Sequence, residues 1–309
     1  MDKKFKRLAL IGIGLIGSSV ARSVRQHGLV EDVVCAARTA DTRRVALELG
    51  IVDAAYEDPA DAVKGADLII FCTPVGTYGA IAEAIAPVLA DGAIVTDVGS
   101  VKKAVVDAIG PHMPPHVDFI PGHPVAGTEK SGPAAGFSEL FVGRWCILTP
   151  TKGSSDAAMK RLSAFWTAMG SKVETMDPEH HDLVLAITSH IPHLIAYNIV
   201  GTADDLEDVT QSEVIKYSAG GFRDFTRIAA SDPTMWRDVF LHNKDAVLEM
   251  LGRFSEDLTA LQRAIRREDG ETLFKIFSRT RAIRREIIDA GQETAEPDFG
   301  RVHTSDEDA

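Results

Sequence analysis

Gly12-Ile13-Gly14-Leu15-Ile16-Gly17 stands between a short apolar run, Leu8-Ala9-Leu10-Ile11, and a stretch of helical spacing over residues 18–27 that stops at Gly28. Nothing else in the chain restricts the fold as much. The apolar run reads as a strand buried on both faces. The first glycine permits a tight turn, the second lets backbone N–H groups approach a pyrophosphate, and the third lets helix and strand pack closely. The helix N-terminus adds partial positive charge at the same place. Gly12, Gly14, Leu15, Ile16 and Gly17 are therefore candidate cofactor-binding residues. The chain is expected to open as a doubly wound, Rossmann-type α/β domain.

The alternation of strand and helix continues, which implies a parallel sheet with ligands beyond the carboxyl ends of its strands. Residues 33–37 form a second strand that ends in Ala37-Arg38-Thr39, where an NAD-preferring site would carry an acid. Glu31 and Asp32 precede the strand, while Arg43 and Arg44 follow it. Without a carboxylate, and with guanidinium groups at hand, a 2′-phosphate is better tolerated, so NADP is favoured over NAD. The alternative is that Arg38 stacks on the adenine and serves either cofactor. Residues 67–72 form a strand leading to Thr73, Pro74 and Thr77, and residues 93–97 one leading to Val98, Gly99 and Ser100. All but Ser100 join Arg38 and Thr39 as cofactor candidates. Ser100 is either a catalytic residue or a helix N-cap.

Phe119-Ile120 closes another strand and delivers His123, stiffened by Pro121 and Pro124, to the same edge. An imidazole on a rigid loop can take a proton near neutral pH, although a loop histidine without a role is the bland alternative. The glycine- and proline-rich piece 122–143 is too long for a routine connection. Residues 145–148 and 172–176 read as further strands around a helix at 157–169. After Pro178 the β signals stop, so the expected division is a dinucleotide domain to 176, a helical domain at 177–291 and a polar, disordered tail at 292–309. Val247, Leu248, Leu251, Phe254, Leu258, Leu261 and Ile265 follow a three/four spacing, as do Leu273, Ile276, Thr280, Ile283 and Ile287. Such long amphipathic helices suit burial against a second copy, hence an expected homodimer.

Two polar clusters lie in the helical part. Glu179-His180-His181-Asp182 with His190 and His193 lacks the spacing that puts two ligands and a base on one helix face, so substrate-facing histidines are preferred to a metal site. Arg223 and Arg227, four apart beside glycines, share a face on a helix and suit a carboxylate clamp, or else an exposed face paired with Asp224 or Asp232. The net charge of −12 makes local cations necessary for any anionic ligand and argues against nucleic-acid or anionic-membrane partners. Cys35, Cys72 and Cys146 are far apart in apolar runs, as expected of free thiols in a reducing, cytoplasmic setting. The basic start before Leu8 mimics a signal peptide, but the spaced glycines favour strand and turn. No other run was expected to approach the ~18 apolar residues of a membrane span.

In order, the glycine fingerprint, Asp97-Val-Gly-Ser100-Val-Lys, His123-Pro-Val-Ala-Gly-Thr-Glu-Lys-Ser-Gly132, His181-Asp182, Ser189-His-Ile-Pro-His193 and Gly220-Gly-Phe-Arg-Asp-Phe-Thr-Arg227 through Trp236 resemble the prephenate/arogenate (cyclohexadienyl) dehydrogenases. The likeness covers about residues 7–290. It implies oxidative decarboxylation of prephenate or arogenate with hydride transfer to NAD(P), on the way to tyrosine. It implies that His123 accepts the proton of the ring C4 hydroxyl and that Ser100 bonds both. It places Arg227 on a substrate carboxylate with His193 in support, and Thr128 and Trp236 at the side-chain end. Ser189 and Arg223 are further substrate-binding candidates, and His181 with Asp182 would form a polar gate at the cleft mouth. No chorismate mutase segment is expected before the first strand, nor a regulatory domain after Gly291, so tyrosine inhibition would act at the active site itself.

Two other readings stand beside it. A β-hydroxy-acid dehydrogenase would need a lysine base, for which Lys102 and Lys103 are the candidates. A non-catalytic dinucleotide sensor would leave His123, Arg223 and Arg227 without a purpose. Prephenate and arogenate share two carboxylates, and only Glu129 suggests a partner for an ammonium.

Overall fold

The computed structural model describes residues 4–128, 130–205 and 219–289. Strand β1 (Phe5–Ile11) is apolar and buried from Leu8 onward because that stretch feeds two cores. Leu8 and Leu10 enter the cluster shared with α1 (Leu15–His27), and Ala9 and Ile11 enter the one on the opposite face. Beside it lie β2 (Val30–Ala36), β3 (Ala54–Tyr56), β4 (Leu68–Phe71), β5 (Ile94–Asp97) and β6 (Asp118–Phe119). Their order is β3-β2-β1-β4-β5-β6, with every neighbouring pair parallel. The order reverses between β1 and β4, and that switch point is where such sheets hold ligands. The expected doubly wound fold is present.

Helices cover both faces. α1 ends at Gly28, whose left-handed backbone (φ 59°) returns N–H bonds to Arg25 and Val24. α2 (Ala40–Glu48) and α3 (Pro59–Val63) follow β2 and β3, capped by Thr39 and Asp58. α4 (Tyr78–Ile85) and α5 (Lys103–Ile109) pack on one face, and α6 (Asp156–Ala168) on the other with Leu162, Phe165 and Trp166. Each such side chain contributes about 1.5–3 kcal/mol by leaving water.

One expectation needs revision. Residues 145–148 and 172–175 do form strands, β8 (Trp145–Leu148) and β9 (Lys172–Thr175), but they join a separate three-stranded sheet. Its other edge is β7 (Gly122–Pro124), antiparallel to β8 and pairing His123 with Ile147. Pro121 has no N–H with which to extend β6, and Gly122 donates instead to the Asp97 carboxylate at 3.0 Å. The chain leaves one sheet and starts another just before His123.

Asp177 caps α7 (Pro178–Leu185), which continues through a π turn at Ala186–His190 into α8 (Ile191–Asp205). By length and a mean hydropathy of 1.5 this continuous helix could cross a membrane, which corrects the expectation that no second run comes near that limit. Its buried His181, Asp182 and His190 bond to groups of the globular fold, so composition alone misleads here. α9 (Gly220–Thr226), a 3₁₀ turn (Arg227–Ala230) and α10 (Pro233–His242) follow. One compact unit extends to Met250, and a second begins at Leu251. α11 (Lys244–Arg266) leads into the second, which contains α12 (Gly270–Ile287). Leu258, Ile265, Phe274, Phe277, Ile283 and Ile287 are exposed on these two helices.

Candidate active site

At the end of β1, Gly12 has φ +99°, and a Cβ there would meet Cys72 and Thr73 at 2.9 Å. A Cβ on Gly17 would lie 2.5 Å from the Gly12 carbonyl oxygen, so α1 begins this close to β1 only with glycine in that position. Gly14 is different: nothing lies within 4 Å of where its side chain would be, and no side chain caps α1. An open face beside uncapped N–H groups, followed by half-buried Leu15 and Ile16, fits a dinucleotide pyrophosphate. Thr73 and Thr77 bond each other at 2.8 Å beyond β4, with exposed Pro74 between them. Val98 and Gly99 follow β5, and Gly99 N–H donates to Asp97 Oδ2 at 2.7 Å.

At the end of β2, Thr39 accepts from Thr42 N–H as the α2 cap. Arg43 donates to the Ala37 and Arg38 carbonyls at 2.7 and 3.0 Å and to Glu57 at 2.9 Å. Arg44 is held by Asp41 and Glu48. Arg38 is exposed and makes no side-chain hydrogen bond among the described residues.

His123 is buried on β7, with Nδ1 2.8 Å from His181 Nε2. His181 Nδ1 in turn lies 2.8 Å from Asp182 Oδ1. The Asp182 carboxylate also accepts from Lys102 N–H at 2.7 Å and Lys103 N–H at 2.9 Å, the first donors of α5. Ser100 is thus not the cap of that helix; a carboxylate from α7 serves it. Asn243 donates to the Asp182 carbonyl and meets His190 Nδ1 at 3.1 Å. Burial pushes the His123 imidazole well below its usual value, and the neighbouring His181 and Lys102 charges push the same way. His190 is lowered to about 4, mainly by burial. His181 is lowered by burial against the pull of Asp182. A neutral His123 is poised to accept a proton. His181 and Asp182, expected at a cleft mouth, are buried behind it, so the gate reading is corrected.

A fully buried ion pair joins the two strand ends of this site. Lys102 Nζ contacts Asp97 Oδ2 and donates to the Gly122 carbonyl at 2.7 Å. Asp97 accepts from Gly99 and Gly122 N–H on its two oxygens. The segment bearing Ser100 and the strand bearing His123 are therefore tied through one carboxylate. Lys103 pairs with Asp107 at 2.6 Å. Neither lysine is free to act as a base, which removes the support for a β-hydroxy-acid dehydrogenase.

The substrate-side residues cluster around Trp236. His193 stacks on its ring at 3.7 Å and 24°, and His193 Nδ1 sits 2.9 Å from the Ser189 carbonyl in the π turn. Burial lowers the His193 imidazole and the Arg227 charge lowers it further, so the guanidinium lies within electrostatic reach. Arg223 is exposed and pairs with Asp224 at 3.3 Å. Helix α9 ends at Thr226, and Arg227 caps it in helical backbone conformation (φ −49°, ψ −39°). Thr128 lies half-buried beyond β7 and accepts from Lys130 N–H at 3.2 Å; Glu129 is outside the described residues. Among the described residues no group of three or more His, Cys, Asp and Glu side chains is placed to hold a metal.

Several roles in this site escape a reading by motif: Asp97 and Lys102 as a strut, Asn243 between Asp182 and His190, and Asp238, which accepts from Gly76 N–H at 3.3 Å and so ties α10 to the Thr73–Thr77 turn. One signal was available. Ile94-Val95-Thr96-Asp97 is an otherwise buried strand that ends in a buried acid, and such a charge needs a partner.

Two family models match the chain: "Prephenate dehydrogenase, nucleotide-binding domain" over residues 20–175, and "Prephenate dehydrogenase, dimerization domain" over residues 177–279. A cyclohexadienyl dehydrogenase of Zymomonas mobilis is 41% identical over 280 residues, covering 91% of this chain and 95% of that protein. A prephenate dehydrogenase of Bacillus subtilis is 34% identical over 278 residues, covering 90% and 75%. The crystal structure of Aquifex aeolicus prephenate dehydrogenase with hydroxyphenyl propionate and NAD+ superposes with a TM-score of 0.86 at 35% identity, covering 93% of this chain and 100% of that one.

Proposed function

The chain belongs to the prephenate dehydrogenase family, and we propose that it oxidises and decarboxylates prephenate, arogenate or both with His123 as the base. It is an NAD(P)-dependent oxidoreductase of tyrosine biosynthesis. The observation that carries the assignment of roles is the buried His123, with Nδ1 on His181 and its strand tied to Asp97 at the end of β5, on the sheet edge that also carries the cofactor cradle. His123 takes the proton of the ring C4 hydroxyl, and Ser100 holds that hydroxyl in register. The bound nicotinamide supplies the acceptor for the C4 hydride. Loss of carbon dioxide from C1 returns its electron pair to the ring, and the resulting phenolate recovers the proton from His123. Aromatisation drives the step, so the protein's work is positioning and proton transfer. Arg227 binds a substrate carboxylate, with His193, Trp236, Ser189 and Thr128 around it; Arg223 is supported only by sequence.

The division falls at 176/177, between the stretches matched by the nucleotide-binding and dimerization models, and the apolar faces of α11 and α12 suit a homodimer. Free Cys35, Cys72 and Cys146 fit a cytoplasmic location. Arg38 at the end of β2, with Arg43 and Arg44 already committed, supports NADP over NAD. Reduced-nicotinamide absorbance with prephenate and arogenate crossed against NADP and NAD tests all of this. Turnover is expected with at least one substrate, and the NADP column should show the lower KM. Silence in all four combinations would overturn the activity, and a clear NAD preference would overturn the role of Arg38. In the same assay tyrosine should compete with prephenate; a noncompetitive pattern would exclude inhibition at the active site.

A further inference from the structure

We propose that Asp182 and His181 are positioning residues that set the tautomer of His123 and stabilise the charge it acquires. This rests on His123 being the base. A carboxylate only accepts hydrogen bonds, and both Asp182 oxygens already take backbone N–H groups of α5. His181 Nδ1, 2.8 Å from Oδ1, must therefore carry its proton toward Asp182. That leaves His181 Nε2 as a lone pair facing His123 Nδ1 at 2.8 Å, so His123 Nδ1 must be the donor there. The proton-accepting lone pair of His123 then lies on Nε2, on the side of the ring away from His181. With both rings neutral, no other assignment satisfies both contacts.

The alternative is a protonated His181 that donates to His123 and leaves Nε2–H as a useless donor. Burial of His181 and the nearby Lys102 ammonium disfavour it. When Nε2 takes the substrate's proton, Nδ1–H still donates to His181, whose other nitrogen remains anchored on the carboxylate. The new positive charge is thereby met by Asp182 through one intervening ring. Asp182 is itself oriented by a helix N-terminus and by Asn243 on its carbonyl, so the relay is fixed at its far end. The other titratable groups around His123 are His190, Lys102, Asp97 and Cys146, and the burial-raised Cys146 thiol stays neutral.

Asp182→Asn should lower kcat by about 10²-fold, with the KM for the cyclohexadienol and the cofactor Kd within about threefold of the parent. Removing the carboxylate makes His123 a weaker base, so the acid limb of kcat/KM should move to lower pH as the plateau falls. A merely structural role would lower the plateau and leave the limb in place. His181→Phe, which keeps a ring without the acceptor, should lose at least as much. His123→Asn/Asp182→Asn should be no slower than His123→Asn alone, because Asp182 acts through His123. An unmoved limb in folded Asp182→Asn, or losses that multiply in the double variant, would overturn the proposal. So would failure of both Asp182→Asn and His181→Phe to bind cofactor, since the pair would then be structural. Retained turnover in His123→Asn would instead sink the base reading itself.

Discussion

His123→Asn should turn over substrate about 10³–10⁴-fold more slowly than the parent while binding the dinucleotide as well, the loss expected of a positioned general base. Asparagine keeps a polar group of similar reach that can face His181 Nε2, so the buried site is not emptied. The cofactor cradle at Gly12, Gly14 and Gly17 belongs to β1 and α1 and does not depend on the ring. The parent's pH profile is part of the same expectation. Because burial holds His123 well below its usual value of 6.5, the base is neutral at pH 7. kcat/KM should be flat through neutrality and fall only as pH drops through that depressed value, below 6.5. In the asparagine variant that limb should vanish. Cofactor Kd by fluorescence titration, kcat by nicotinamide absorbance and a pH series check it. Activity within tenfold of the parent would place the base elsewhere.

What could be read from sequence, and what could not, follows the range of the interactions. The apolar strands β1, β4 and β5 and the glycine fingerprint obey local rules, so the doubly wound fold and the cofactor edge were legible. β7 was not: Gly122 and Pro124 are poor strand formers, and its partner β8 lies beyond a long loop. His123 and His181 meet across 58 residues, and no periodicity reports that. The role of Asp182 was misread for the same reason. Its N–H donors, from Lys102 and Lys103, start a helix that Ser100 seemed placed to cap. Arg223 shows the limit of a local rule: its spacing to Arg227 suits a clamp, while the structure pairs it with Asp224, the alternative that the sequence also offered.

The buried ion pair of the site is also its most vulnerable element. Lys102 and Asp97 are both fully buried, and burial pushes the carboxyl up and the ammonium down while their mutual attraction opposes both shifts. Removing one partner leaves the other charge uncompensated, which costs about 3–5 kcal/mol. Lys102→Met, which keeps the side chain's length, should therefore lower the free energy of urea unfolding by that amount. It also removes the bond to the Gly122 carbonyl, so the strand bearing His123 loses one of its ties to the end of β5 and kcat should fall beyond what the stability loss explains. Pairing it with Asp97→Asn should restore much of the stability, because a buried ion pair can be replaced by neutral groups at little cost. Activity should not return with it, since no ammonium then ties β5 to β7. If Lys102→Met unfolds within about 1 kcal/mol of the parent, the ion pair is not what holds the two strand ends together. If the double variant recovers both stability and turnover, the pair serves packing alone.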